Sequence, residues 1–266
     1  MKQDVEEAIM KLRDKRNTEE RYLDNINYYK RTIDNWNREI EELKQSELQG
    51  IQMHPNVTNM EVIEGFQRSI FLNRISLLLA TYSVGMEIGE VKSEYLKSIE
   101  ALFHTNKNLN TDYASFLWLL SIAIIFDMED EVFYRLGDRI KQDKLNDYLV
   151  DFLMHSRISS WERNNETFLW KRPYAFLEQV ITSAESGDLK RSETLLLEYL
   201  KKKWYRGNSD EVWYNDHIVT EKSKDFPHDG YWSFESGALV KIFKLEDSDW
   251  KELQYYPYDM LHHEFV

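Results

Sequence analysis

The chain has 266 residues, 42% of them hydrophobic, a formal net charge of −13 and no cysteine. That length and apolar share suffice for one large domain or two small ones with a real core, and argue against extended disorder. The missing cysteine excludes disulfides, thiolate metal sites and a cysteine nucleophile, and suits a reducing compartment, so a cytoplasmic protein is expected.

The charge is uneven: residues 205–266 hold 13 acidic and 6 basic side chains, more than half of the excess. A surface of this sign repels nucleic acid and anionic membranes, so neither is an expected partner. A basic partner is favoured.

The first residues, Met1 to Glu7, are acidic and contain no apolar h-region, so no signal peptide is expected there. Glycine (9) and proline (4) are scarce and no alternating β pattern occurs, so nearly everything reads as helix. The clearest element starts at Thr18, an N-cap followed by Glu19 and Glu20. Tyr22, Ile26, Tyr29, Ile33, Trp36, Ile40 and Leu43 then recur in steps of four and three, an a/d stripe that needs a partner helix. Gly50, Pro55 and Asn56 end it.

Further helices are predicted near 58–85, 90–105, 111–126, 129–141, 143–154, 173–186, 188–203, 209–218, 232–244 and 247–254. The run from Ala114 to Phe126 is broken only by Ser115 and Ser121. It is too short to span a bilayer and reads as a buried core helix. Gly187-Asp188 marks one helical hairpin. No fixed period runs along the chain. The expected fold is all-α: antiparallel hairpins in an irregular, repeat-like array behind a long amphipathic N-terminal helix. A rise in charge density after residue 126 suggests two helical domains, 1–126 and 127–266.

Residues 204–266 hold 14 of the 37 aromatic residues together with the densest acidity. Here the chain resembles a known family. Gly230-Tyr231-Trp232-Ser233-Phe234-Glu235, Ala238 to Ile242 and Tyr255-Tyr256-Pro257-Tyr258-Asp259, led by Trp213 to His217, look like the domain catalogued as DUF1911. Arg13-Asp14-Lys15-Arg16 and Leu78 to Gly85 look like its companion, DUF1910. Together they are similar to the PoNi immunity proteins. The resemblance implies a cytosolic antidote that binds a basic nuclease toxin of PoNe type, with no catalytic residue and no cofactor.

Several residues invite chemistry. Asp216, His217, His228, Asp229 and Glu235 could form a zinc or acid–base site. Their spacing fits no standard motif, and His217 and His228 would meet only through tertiary folding, so structural or merely exposed roles are expected. Gly85 to Gly89 reads as a helix–helix turn rather than a phosphate loop. Lys201 to Lys203 close a helix and complement its dipole, and His262-His263 reads as an exposed tail. No metal site is expected. Candidate partner contacts are Asp210, Glu211, Trp213, Asp216, Asp225, Asp229 and Tyr231. Trp232, Glu235, Tyr256, Pro257 and Tyr258 are expected to hold the C-terminal half together, Glu235 as a helix cap or against a buried arginine. The alternative function is a helical adaptor or regulator that binds a peptide or protein.

Overall fold

The computed structural model describes residues 11–219 and 227–263. Among them there is no strand. α1 (Glu19–Leu48) begins where the Thr18 hydroxyl accepts from the Arg21 N–H at 3.3 Å. Its predicted stripe is buried except for Trp36, which is half-buried and stacks on Phe66.

The partner that stripe requires is α2 (Asn59–Val84), which starts with a capping box between Thr58 and Glu61. Ile63, Ile70, Leu77 and Val84 recur every seven residues and face α1, while Phe71, Ile75, Leu78 and Tyr82 join the main core. α1 and α2 therefore form an antiparallel hairpin with its own hydrophobic cluster. α2 stops at Gly85, whose φ of +97° suits glycine; a Cβ there would also lie 2.3 Å from the Lys11 carbonyl.

α3 (Ile88–His104) folds back along α2. α4 (Tyr113–Ile125) is the predicted core helix: every residue but Ser115 is buried. It packs against α3, α5 (Asp130–Asp143), α6 (Tyr148–Arg157) and α10 (Phe234–Phe243). Around this central helix one core cluster runs from Phe71 to Met260 and so draws on both sides of residue 126.

The predicted hairpin at Gly187 is α7 (Leu177–Glu185) against α8 (Leu189–Glu198). α8 continues through a wider turn at Tyr199–Lys203 into α9 (Trp204–Gly207). The short α11 (Tyr258–Leu261) closes the described chain.

Two predicted helices are absent. Residues 209–218 form successive turns, with Asn215 in the left-handed region at φ +66°. Asn208, Ser209, Asp210, Asn215 and Asp216 are residues whose side chains compete for backbone hydrogen bonds and favour turns. Residues 247–254 hold only a short 3₁₀ turn, Ser248–Trp250. No described helix is long and apolar enough to cross a membrane.

Candidate functional site

The sequence segments that carry the family resemblance lie far apart in the chain and meet at one buried seam. Residues 11–17 lie as a strap over the end of α2, where the backbone N–H groups of Arg13 and Asp14 donate to the Ser83 carbonyl at 2.9 and 3.1 Å. The strap carries Asp14, which is 2% exposed. Its carboxylate accepts from the Arg16 backbone at 2.9 Å, the Arg16 guanidinium at 3.0 Å and the Tyr231 backbone at 3.3 Å. It also takes His228 Nε2 at 3.2 Å.

The other ring nitrogen of His228 meets Asp216 Oδ1 at 2.5 Å, and the Tyr231 hydroxyl donates to the same oxygen at 2.6 Å. His217 completes the group, with its Nδ1 2.8 Å from the Tyr231 hydroxyl. Thus Asp216, His217 and His228 converge after all, brought together by tertiary folding. Arg16 lies over the rings of Tyr231 and Tyr255, 5.3 and 4.8 Å from their centres.

The electrostatics follow from this packing. Burial opposes a charge on His228, but the two carboxylates overcome it and raise its pKa to about 9. Burial likewise opposes the Asp14 charge, yet His228 and Arg16 hold that carboxyl below its usual range. His228 is therefore an imidazolium at neutral pH, donating from both nitrogens. No group of three or more His, Cys, Asp or Glu side chains suited to a metal occurs among the described residues.

A second layer lies directly beneath. Asp229 is buried and accepts from the Tyr29 hydroxyl at 2.7 Å and Asn25 Nδ2 at 3.1 Å. Burial pushes its pKa up to about 7. Ser83 Oγ donates to the Asp229 carbonyl at 2.7 Å and accepts from Trp232 Nε1 at 2.8 Å. Gly230, at φ +111°, leaves room for that serine: a Cβ would lie 1.9 Å from its Oγ. Arg13 extends the seam to the far end of the chain, donating to Asp259 at 2.7 Å.

Trp232 is buried edge-to-face against Tyr82 at 4.7 Å. Glu235 is fully buried, and its Oε1 accepts from the Tyr199 hydroxyl at 2.9 Å and Ser233 Oγ at 2.7 Å. Its partners are therefore hydroxyls: of the two expected options, a helix cap or a buried partner such as an arginine, the second holds with hydroxyls in the arginine's place. Oε2 accepts no hydrogen bond, and burial raises the pKa to about 7. Tyr256 and Pro257 are buried, with the Tyr256 hydroxyl donating to Asp247; Tyr258 is half-buried. His262 departs from the expected free tail: it stacks on Tyr258 at 4.2 Å and pairs with Asp247 at 2.9 Å.

Of the candidate contacts, Asp229 and Tyr231 are buried, and Asp216 is largely enclosed. Trp213 is half-buried, stacked on Trp204 at 5.7 Å. Asp210 is exposed and pairs loosely with Arg172 at 3.3 Å. Glu211 is half-buried beside it, and burial together with the Asp210 charge raises its pKa to about 7. Asp225 lies outside the described residues. Sequence reasoning missed the structural roles of Asp14, Asn25 and Ser83, and, for Tyr29, whose place in the buried stripe it did foresee, the bond from its hydroxyl to Asp229. The one signal for Asp14 was an acid flanked by cations in Arg13-Asp14-Lys15-Arg16.

Fold and seam together define a protein, all-helical over its described residues, whose first and last described segments meet at one seam. The chain belongs to the PoNe immunity protein (PoNi) family: residues 13–138 match the family's N-terminal region and residues 145–260 its C-terminal region. Membership implies an immunity function against a nuclease toxin. The chain is also similar to the crystal structure of Protein PA2201 from Pseudomonas aeruginosa, at 19% identity and a TM-score of 0.57. That match covers 88% of this chain and 86% of the other, and at this identity it concerns the fold alone. No curated protein matches the chain.

Proposed function

We infer that this protein acts in the cytoplasm as a non-enzymatic antidote that binds a PoNe-type DNase toxin one to one and blocks it. The observation that carries this reading is the family match across both halves of the chain. The net charge of −13 supports it, because a DNase must present a basic groove to hold phosphates. Charge complementarity speeds encounter, toward roughly 10⁸ M⁻¹s⁻¹ at low salt. Asp210 and Glu211, on the turn-rich loop, are the candidate contacts best placed to reach a partner.

The experiment is co-expression with the cognate DNase. Rescue of growth, with a one-to-one complex on purification and loss of DNA cleavage in vitro, is expected. A chain that neither rescues nor binds the nuclease would remove this reading.

A further inference from the structure

Of the aromatic residues expected to anchor a partner, Tyr231 is buried and Trp213 is half-buried against Trp204, so a more exposed apolar contact surface is sought elsewhere. Five of the fourteen exposed large apolar side chains among the described residues fall between positions 48 and 60: Leu48, Ile51, Met53, Val57 and Met60. Leu48 is 81% exposed. All five sit at the tip of the α1–α2 hairpin.

This tip stands clear of the main core. α3 ends at His104, which shares a groove with Gln67 and Ile70. The hairpin runs on past that point by roughly 12 Å, taking 1.5 Å per residue from Asn59 to Gln67. Its own hydrophobic cluster holds it together out to Leu43 and Ile63.

The connecting loop is organised from within. Asn59 is fully buried, donates to the Ile51 carbonyl at 2.8 Å and to Glu47 at 3.0 Å, and accepts from the Met53 N–H at 3.0 Å. Gln52 ties the rest of the loop by donating to the His54 and Val57 carbonyls. The apolar side chains are thus presented on an ordered loop, which lowers the entropy cost of binding through them.

The charge around the tip selects the occupant. Residues 39–64 contain six glutamates, all exposed, and one lysine. That lysine, Lys44, is paired with Glu41 at 2.8 Å. Such a surface repels a second copy of itself, nucleic acid and anionic lipid alike, and fits a basic partner. Two packed helices, each about 10–12 Å across with axes 8–10 Å apart, make an acidic rod about 20 Å wide, of similar girth to a DNA duplex.

We propose that the α1–α2 hairpin tip is a toxin-docking element, inserting an acidic rod with an apolar end into the basic DNA cleft of the nuclease. The proposal rests on the antidote reading above. Its apolar end supplies the desolvated anchors and its glutamates supply the attraction.

The test uses the full chain and the catalytic domain of the cognate DNase, carried as an inactive variant. The first measurement is binding by the unaltered chain. Its failure would overturn the antidote reading, and the docking proposal with it. The second uses the triple variant Leu48→Asp, Met53→Asp, Met60→Asp beside a control, Tyr134→Asp with Leu169→Asp, which alters exposed apolar side chains elsewhere.

With binding established, the triple variant is expected to keep its melting temperature and helicity and to bind about 100-fold more weakly, while the control binds as the unaltered chain does. Duplex DNA should compete with the unaltered chain for the nuclease. Unchanged affinity in the triple variant, or no competition by DNA, would overturn the docking proposal and leave the antidote reading standing. An unaltered chain that sediments as a dimer, with a monomeric triple variant that still binds the nuclease, would overturn it too and assign the tip to self-association.

Discussion

His228 and Asp14 are 214 positions apart in the chain, yet Nε2 of the one lies 3.2 Å from Oδ2 of the other in a site closed to solvent. With Asp216 on the opposite ring nitrogen, the histidine is an ionic rivet between the strap and the C-terminal loops, and its carbonyl accepts from Asn25 of α1.

The rivet makes stability depend on pH. The His228 pKa is raised from 6.5 to about 9 on folding. A raised pKa contributes stability that is fully present below pH 6.5 and lost as pH climbs through 9. The shift corresponds to about 3 kcal/mol. The urea midpoint should therefore fall over that window. His228→Gln should start lower at pH 6 and meet the unaltered protein near pH 10. Parallel pH profiles for the two would show that the histidine is not charged in the fold.

Glu235 titrates in a lower window with the same sign. Its pKa rises from 4.5 to about 7 on folding, so stability falls as pH rises from 4.5 through 7. Asp229, raised from 3.8 to about 7, adds to the fall. Glu235→Gln keeps the shape, removes the buried charge and should lose part of that slope. At pH 8 it should be as stable as the unaltered protein or more so. Thermal melts from pH 4.5 to 8 decide this, and an undiminished slope in the variant would place the titration elsewhere.

Trp232→Ala should cost about 3–5 kcal/mol, from the lost edge-to-face contact with Tyr82, the lost bond to Ser83 and the cavity left behind. Chemical denaturation measures it. A variant that kept its stability but lost toxin binding would make this ring part of the interface.

Asp210→Lys with Glu211→Lys should slow association with the toxin, most of all at low salt, because screening shortens to about 8 Å at physiological ionic strength. Stopped-flow binding over a salt series reads this. An association rate indifferent to salt and to both reversals would mean that this loop's charge serves solubility alone.

The helices were legible wherever the pattern is local. The four–three steps from Tyr22 to Leu43 name both a helix and its need for a partner, and the gaps at Gly85 and Gly187 mark real turns. At 209–218 a helix was expected, but the chain forms successive turns there, with Asn215 at φ +66° and the Asp216 carboxylate drawn to the distant Tyr231 and His228. The seam was legible only as scattered pieces. Nothing in the immediate neighbours of Asp14 indicates a histidine 214 positions later, because tertiary folding alone sets that distance. For the same reason Tyr231 and Asp229 read as available for contact, although the fold buries both.

The Arg13–Asp259 pair spans 246 positions and joins the strap to the last described helix. Arg13 leaves the ribosome long before Asp259, and this pair cannot form until residue 259 has been made. At roughly 5–20 residues per second that takes about 10–50 s. Under the antidote reading proposed above, a nascent chain gives no finished molecule during that interval, and protection would come from copies made beforehand.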